Sequence, residues 1–144
     1  MKRVSQLLSE KGSEFWTVSP SATVLQALEM MAAKNVGALL VMEGEKLAGI
    51  FSERDYARKV VLEGRTSKDT SVGDIMSSKV VCVTPQQSVE DCMALMTDKR
   101  IRHLPVIEGD RVLGIISVGD VVKAVISEQT FVISQLEHYI TGSH

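Results

Sequence analysis

The chain has 144 residues, of which 44% are hydrophobic, 24% charged and 4% aromatic, and its net charge is −2. This length fits one compact domain or two small units that share a core, and that core must be built mainly from aliphatic side chains. The slightly acidic balance argues against general nucleic-acid binding, which needs a concentrated basic face, and no apolar run approaches the roughly 20 residues of a membrane helix.

The N-terminus has basic residues with no apolar stretch behind them, which is not typical of a signal peptide. Cys82 and Cys92 match neither a CxxC motif nor a zinc spacing. The three histidines, at positions 103, 138 and 144, are too scattered to indicate a metal centre. We therefore predict a cytoplasmic protein with reduced thiols that act as packing residues, and no metal site.

The first half of the chain predicts a strand, a helix, a hairpin and a second helix, after a short lead-in near Val4. Thr23 and Gln26 form a capping box before apolar residues at helical spacing. A Glu-Gly turn then separates two short apolar runs, which is typical of a hairpin. The predicted ranges are 38–42 and 47–51 for the hairpin strands and 53–62 for the second helix.

Residues 63–70 are polar and rich in turn formers, which indicates a linker. Beyond the linker the chain repeats itself: shifted by 65 positions, residues 17–60 match residues 82–125 at 14 of 44 positions without a gap. The lead-ins before the two units match less regularly, because the first is about three residues longer than the second.

The second unit predicts the same elements, with a weaker capping box at Ser88 and Asp91, strands over 104–107 and 112–116, and a helix over 118–126. A final stretch, 128–140, predicts an amphipathic helix. Its apolar positions are Val132, Ile133, Leu136 and Ile140.

These elements predict an α+β fold made of two β-α-β-β-α repeats. One such repeat exposes an apolar sheet face, so two copies are expected to pack sheet against sheet about a pseudo-twofold axis. We place the first repeat and its lead-in in residues 1–64, the linker and second repeat in 65–127, and the amphipathic helix and tail in 128–144.

Both repeats carry the motif Gly-φ-φ-Ser-x-x-Asp, where φ is apolar, over residues 49–55 and 114–120. In each copy a strand runs directly into a helix, so free backbone N–H groups gather near the serine and suit an anion such as phosphate. The aspartate can accept hydrogen bonds from two adjacent ribose hydroxyls. The same Ser-x-x-Asp pattern is also an ordinary helix cap, and it is the two matched copies that favour binding.

The paired repeats resemble tandem CBS domains, the regulatory unit also called a Bateman module. The similarity covers residues 4–127 and rests on the Val-x-Pro before the first helix, the run from Arg102 to Val106, the Glu-Gly turn and the doubled motif. The resemblance implies a stand-alone regulatory protein with two symmetric clefts that bind AMP, ADP, ATP or, less often, NAD(H). We expect AMP as the regulatory ligand and no catalytic cofactor.

Carried over by position, the resemblance assigns residues to the two expected clefts. One cleft takes Ser117, Gly119 and Asp120, with His103 and Pro105 near the ligand, closed by Thr17 and Val18. The other takes Ser52, Arg54 and Asp55 with Gly37 and Ala38, closed by Cys82 and Val83. The first repeat lacks the histidine and proline of the second, so one cleft is expected to dominate, and the sequence does not decide which.

Basic residues near the motifs are candidates for phosphate counter-charge, or are simply solvated. They are Arg54, Arg58, Lys59 and Lys123.

Among other functions, a hydrolase is disfavoured because Ser117 lies in no Gly-x-Ser-x-Gly motif. A ligand-independent interaction scaffold stays open. We expect a homodimer, closed in part by the C-terminal helix, and an unidentified effector protein as partner, with no nucleic acid and no membrane. A ligand would act by favouring one relative packing of the two repeats.

Overall fold

The computed structural model describes residues 2–141, and it has an α+β architecture with two small sheets. The strands are β1 (Thr17–Val18), β2 (Ala38–Glu43), β3 (Lys46–Ser52), β4 (His103–Glu108) and β5 (Arg111–Ser117). The helices are α1 (Val4–Lys11), α2 (Val24–Lys34), α3 (Glu53–Tyr56), α4 (Val72–Ile75), α5 (Val89–Lys99) and α6 (Val118–Thr141), and a π-helical segment, Ala57–Val61, continues α3.

The capping boxes predicted before α2 and α5 are both confirmed. The Thr23 hydroxyl accepts a hydrogen bond from the Gln26 backbone N–H at 3.1 Å, and the Gln26 side chain accepts one from the Thr23 N–H at 2.9 Å. Ser88 and Asp91 make the same reciprocal pair, at 3.1 Å in both directions. These side chains satisfy N–H groups that the first helical turn leaves without partners, so each helix begins at a fixed residue.

The two repeats differ in their first strand. In the first repeat, β1 pairs in parallel with β2, and the Leu40 N–H donates to the Trp16 carbonyl at 3.1 Å. In the second repeat, the predicted strand at Cys82 is reduced to one bridge between Val83 and Val106. The cause is Pro105, which takes the place of Leu40 and has no N–H to donate.

The C-terminal helices predicted over 118–126 and 128–140 form one helix, α6, because no glycine or proline interrupts the chain between them. The helix is described to Thr141, and the rest of the predicted tail, 142–144, lies outside the described residues, as does the side chain of Ile140. In the part of the chain that the structure covers, no helix combines the length and hydropathy needed to cross a bilayer.

Each repeat has its own hydrophobic core, and each core is completed by the lead-in of the other repeat. Helix α1 buries Val4, Leu7 and Leu8 in the core of the second repeat. Helix α4 buries Val72 and Ile75 in the core of the first. The lead-ins therefore cross over, although the sequence alone places each beside the repeat that follows it.

Backbone hydrogen bonds hold the crossed lead-ins in equivalent positions. The Val4 N–H donates to the carbonyl of Gln87 at 2.8 Å, and the Val72 N–H donates to that of Ala22, also at 2.8 Å. Ala22 and Gln87 are 65 positions apart, which is the repeat shift. The pseudo-symmetry thus extends from the repeats to the segments that join them.

The sheet face away from the first core is also covered. Leu39, Val41 and Phe51 belong to that core, whereas Leu40 points to the opposite face because side chains alternate along a strand. Leu40 is nevertheless 0% exposed, and its counterpart Pro105 is buried as well. Burial of both faces is what sheet-to-sheet packing of two repeats requires.

Candidate functional site

A cavity of about 660 Å³ lies between the two repeats and is lined by both copies of the motif. It is reached by the ends of β3 and β5, where each strand turns directly into a helix. Its lining residues are Gly37, Ile50, Ser52, Glu53, Arg54, Asp55, Ser77, Lys79, Val80, Val81, Ile101, Arg102, His103, Ser117, Val118 and Gly119.

The first motif is held by hydrogen bonds around a buried carboxylate. Ser52 caps α3, and one oxygen of Asp55 accepts from the Ser52 N–H at 2.9 Å and from its hydroxyl at 3.1 Å. The other oxygen accepts from the Ser77 hydroxyl at 3.1 Å and pairs with Lys59 at 3.2 Å. Asp55 is 6% exposed, so the carboxylate is both positioned and neutralised at the cavity wall.

The second motif has the same cap but a different counter-ion. Asp120 accepts from the Ser117 N–H at 2.8 Å, and its Oδ2 lies 2.6 Å from the ammonium of Lys11, which comes from the N-terminal lead-in. Burial would raise the pKa of Asp120, but the hydrogen bonds from Lys11 and Ser117 outweigh this, and the pKa lies below its usual value. The carboxylate is therefore ionised and paired at neutral pH.

Cationic side chains reach the cavity from both repeats. Arg54 lines it from the first repeat, Lys79 from the segment that follows α4, and Arg102 from the second repeat. The Arg54 guanidinium also donates to the Arg100 carbonyl at 2.6 Å, which ties α3 to the end of α5 across the interface. Glu53 and Asp55 are the opposing charges in the lining, and Asp55 is paired with Lys59, so the lining carries more positive than negative charge and suits an anion.

His103 projects from the start of β4 towards Gly37 of the first repeat. A Cβ at Gly37 would lie 3.6 Å from both the Cε1 and the Nε2 of His103, so the imidazole packs directly over the Gly37 backbone. Burial lowers the pKa of His103, and the carboxylates of Asp120 and Glu53 oppose this only in part. The imidazole is thus neutral at pH 7 and can donate or accept a hydrogen bond.

The stability of the protein is expected to fall as the pH drops below about 6.5. In that range the unfolded chain takes up a proton at His103 that the folded chain resists, so folding loses free energy as the pH falls. His103→Gln removes the titrating group and is expected to flatten this dependence. Urea unfolding of both proteins between pH 5 and 7.5 measures it, and equal slopes would show that His103 contributes nothing.

The structure brings seven of the seventeen predicted site residues to one cavity. Those that line it are Gly37, Ser52, Arg54, Asp55, His103, Ser117 and Gly119. The others predicted do not line it: Thr17, Val18, Ala38, Cys82, Val83, Pro105, Asp120, Arg58, Lys59 and Lys123. Lys59 and Asp120 each contact a residue that lines the cavity. Lys59 pairs with Asp55, and Asp120 accepts a hydrogen bond from the Ser117 N–H.

Three residues near the motifs were not found from the sequence: Lys11, Ser77 and Lys79. Lys11 and Ser77 belong to the crossed lead-ins, and Lys79 follows the second of them. The lead-ins differ in length, so aligning the repeats does not place them. The signal that was available is the short apolar run of each lead-in, which indicates that the segment packs on a core.

The two cysteines lie away from this cavity. Cys92 is 0% exposed, and burial raises the pKa of its thiol to about 11. Cys82 lines a second cavity, of about 740 Å³ near the hairpin turns, and burial raises its pKa too. Both thiols are protonated at neutral pH, as packing residues would be. Residues 2–141 contain no cluster of three or more His, Cys, Asp or Glu side chains placed for a metal ion.

Comparison with known proteins places this fold and motif in one family. The CBS domain family model matches residues 4–62 and 72–127. The chain is 46% identical over 141 residues to the CBS domain-containing protein CBSX3, mitochondrial, of Arabidopsis thaliana, covering 94% of this chain and 68% of that protein.

Two solved structures have the same fold. One is that of a putative signal-transduction protein with CBS domains from Burkholderia ambifaria, at 50% identity and a TM-score of 0.85, covering 89% of this chain and 96% of that one. The other is the CBS domain pair of protein MJ0100 in complex with 5′-methylthioadenosine and S-adenosyl-L-methionine, at 21% identity and a TM-score of 0.79, covering 89% and 98%. The chain therefore belongs to the CBS domain family and carries two CBS domains in tandem.

Proposed function

We propose that this protein is a non-catalytic regulatory module that binds an adenine nucleotide in the cavity between its CBS domains. AMP is the first candidate, and ADP, ATP and NAD(H) are related ones. The observation that carries the proposal is that one cavity is lined by Ser52 and Ser117, the motif serines of both repeats, among cationic side chains. Its volume of about 660 Å³ is within the usual range for small-molecule sites.

The ribose is proposed to lie against Asp55, and the phosphate between the serines. Asp55 has Ser77 and Lys59 on one oxygen, and the ribose hydroxyls would replace the Ser77 contact. The phosphate would then face Arg54 and Arg102, with Val80 and Val81 beside the base. The adenosyl ligands of the MJ0100 pair support an adenosine-containing ligand as the class to test.

A ligand in this position would act on the relative packing of the repeats. The cavity walls come from both repeats, and the Arg54–Arg100 hydrogen bond crosses between them. A nucleotide that contacts both walls favours the closed arrangement, by an amount limited by its differential affinity for the two arrangements. The effector protein that receives this change is proposed to bind a surface that moves with one repeat.

Asp55→Asn is expected to weaken nucleotide binding by about 10- to 100-fold, the cost of losing a hydrogen bond to a charged group. Asp91→Asn is the matched control, because Asp91 has the same capping role before α5 but lies outside the cavity. Calorimetric titration with AMP, ADP, ATP, NAD⁺ and NADH, on wild type and both variants, measures the effect.

The outcomes of this titration are distinct. Binding to wild type and Asp91→Asn that is lost or weakened in Asp55→Asn supports the proposal. Equal binding by all three proteins would show that the ligand does not depend on Asp55 and binds elsewhere. No binding of any ligand to a folded wild-type protein contradicts the nucleotide function and favours the scaffold described next.

The second candidate function is a ligand-independent interaction scaffold, and helix α6 favours it. Its outer half carries apolar side chains that are more than half exposed: Phe131 64%, Val132 51%, Ile133 56% and Leu136 55%. Such a group of exposed apolar side chains on an amphipathic helix is typical of an interface. A homodimer closed by this helix is compatible with both functions. A cytoplasmic location stays a prediction, since the Arabidopsis relative is named as mitochondrial.

A further inference from the structure

The two walls of the cavity between the repeats carry different charges at equivalent positions. In the first repeat, the Glu53 N–H donates to the Gly37 carbonyl at 3.2 Å. In the second, the Val118 N–H donates to the Arg102 carbonyl at 2.9 Å. Both residues of each pair line the cavity, and the pairs are related by the repeat shift of 65 positions. The backbone is therefore arranged in the same way on both walls, and Glu53 places a carboxylate where the second repeat has an isopropyl group.

The Glu53 carboxylate lies on the cavity wall beside His103 and has no counter-ion. Its Oε1 is 3.8 Å from the place that a Cβ on Gly37 would take, and the His103 ring is 3.6 Å from the same place. Among residues 2–141 this carboxylate has no partner in a hydrogen bond or an ion pair. The other carboxylate of the lining, Asp55, is paired with Lys59 at 3.2 Å. Glu53 is thus the negative charge of the described lining that is not neutralised by a neighbour.

The charge of the lining matches one phosphate group. Its cationic side chains are Arg54, Lys79 and Arg102. Three cations against the single unpaired carboxylate of Glu53 leave an excess of two positive charges. A phosphate monoester carries a charge of about −1.5 to −2 at pH 7, which this excess balances. Each further phosphate group adds negative charge that the lining does not balance and that Glu53 repels.

We propose that Glu53 makes this cavity selective for a nucleoside monophosphate over the corresponding triphosphate, by repelling phosphate groups beyond the first. This inference rests on the proposed function, since it concerns which nucleotide the cavity accepts. Glu53 follows Ser52 directly in the chain, so a polyphosphate that extends from the serines stays within the roughly 8–10 Å over which charges interact at moderate salt. The side chain of Glu53 is exposed, so this repulsion acts through solvent and depends on ionic strength.

The test is the ratio of the affinities for AMP and ATP in Glu53→Gln, measured by calorimetric titration without divalent cations. The variant keeps the size of the side chain and removes its charge. We expect wild type to bind AMP more tightly than ATP, and Glu53→Gln to narrow this ratio by at least about threefold, mainly through tighter binding of ATP. Glu53→Val introduces the side chain of the equivalent Val118 and is expected to narrow the ratio too. Glu90→Gln, which removes an exposed acidic residue from the first turn of α5 outside the cavity, is expected to keep the wild-type ratio.

Salt distinguishes a repulsive charge from a change in packing. The difference between wild type and Glu53→Gln is expected to shrink in about 1 M salt, where the Debye length falls to about 3 Å. Tighter binding of ATP than of AMP by wild type, an equal ratio in wild type and Glu53→Gln, or a difference that salt does not change overturns the role of Glu53 and leaves the nucleotide function in place. No binding of either nucleotide to folded wild type and folded Glu53→Gln overturns the nucleotide function, and this inference with it.

Discussion

Leu7→Ala is expected to lower the free energy of unfolding by about 2–5 kcal/mol and to loosen the second CBS repeat, not the first. Leu7 precedes the first repeat in the chain, but its side chain is 4% exposed in the core of the second, among Val83, Leu104 and Ile116. Truncation leaves a cavity that the surrounding strands and helices fill only in part, which adds to the lost transfer free energy.

Ile75→Ala is the reciprocal variant. Ile75 lies just before the second repeat but is 2% exposed in the core of the first, so its truncation is expected to loosen β2 and β3. Ser9→Ala, at an exposed position of α1, is the control for changes in the helix itself. Denaturant unfolding gives the free energies, and hydrogen exchange shows which amides lose protection.

The pattern of protection is the decisive measurement for the crossover. Faster exchange in β4 and β5 for Leu7→Ala, and in β2 and β3 for Ile75→Ala, is the expected pair of results. The opposite assignment, with each truncation loosening the repeat that follows it in the chain, would show that the lead-ins do not cross. Equal loosening of both repeats by each variant would show that the two cores unfold as one unit and do not report the crossover separately.

Most of the fold could be predicted from the sequence because the repeat supplies each element twice. Apolar spacing and capping residues placed α2 and α5, and the Glu-Gly turns placed the hairpins, where Gly44 and Gly109 adopt positive φ of 62° and 61°. These are local signals, in which the residues that decide the structure are neighbours in the chain.

The features that were missed depend on contacts between distant segments. The crossover of α1 places Lys11 beside Asp120, 109 positions away, and no local pattern encodes that pairing. The loss of the first strand in the second repeat is different, because the residue that causes it, Pro105, could be recognised from the sequence as lacking an N–H. For the site, the motif serines and Asp55 were found from the repeat, whereas Ser77 and Lys79 were not, because the lead-ins differ in length.

The crossover also explains why the motif begins with glycine. Gly49 lies on β3 beside the segment that follows α4, and Gly114 lies on β5 beside α1. The lead-in passes so close to each glycine that a side chain has no room. The glycine, the lead-in and the aspartate are thus parts of one arrangement, in which the lead-in that packs on a repeat also supplies the partner of its motif carboxylate.

Gly49→Ala is accordingly expected to lower the free energy of unfolding by about 1–3 kcal/mol. A Cβ at this position would lie 2.7 Å from Met76 Sδ and 2.8 Å from the Ser77 carbonyl oxygen. The sulfur can move, but the carbonyl is fixed, because Ser77 exchanges two backbone hydrogen bonds with Ile50, at 3.0 and 2.9 Å. Relief of the clash therefore requires breaking this pairing or shifting β3.

Two other glycines of the motifs are matched controls for the same change. At Gly114 the close atom is Leu8 Cδ2, at 2.9 Å, the end of a flexible side chain, so Gly114→Ala is expected to cost less than Gly49→Ala. At Gly119 the nearest atom is Ser117 Oγ at 3.6 Å, an ordinary contact, and alanine there is expected to change stability by less than about 1 kcal/mol. Urea unfolding of the three variants ranks them. A cost for Gly49→Ala no larger than that for Gly119→Ala would mean that the Ser77 segment can withdraw from β3, and the partner of Asp55 would then be mobile where the structure has it fixed.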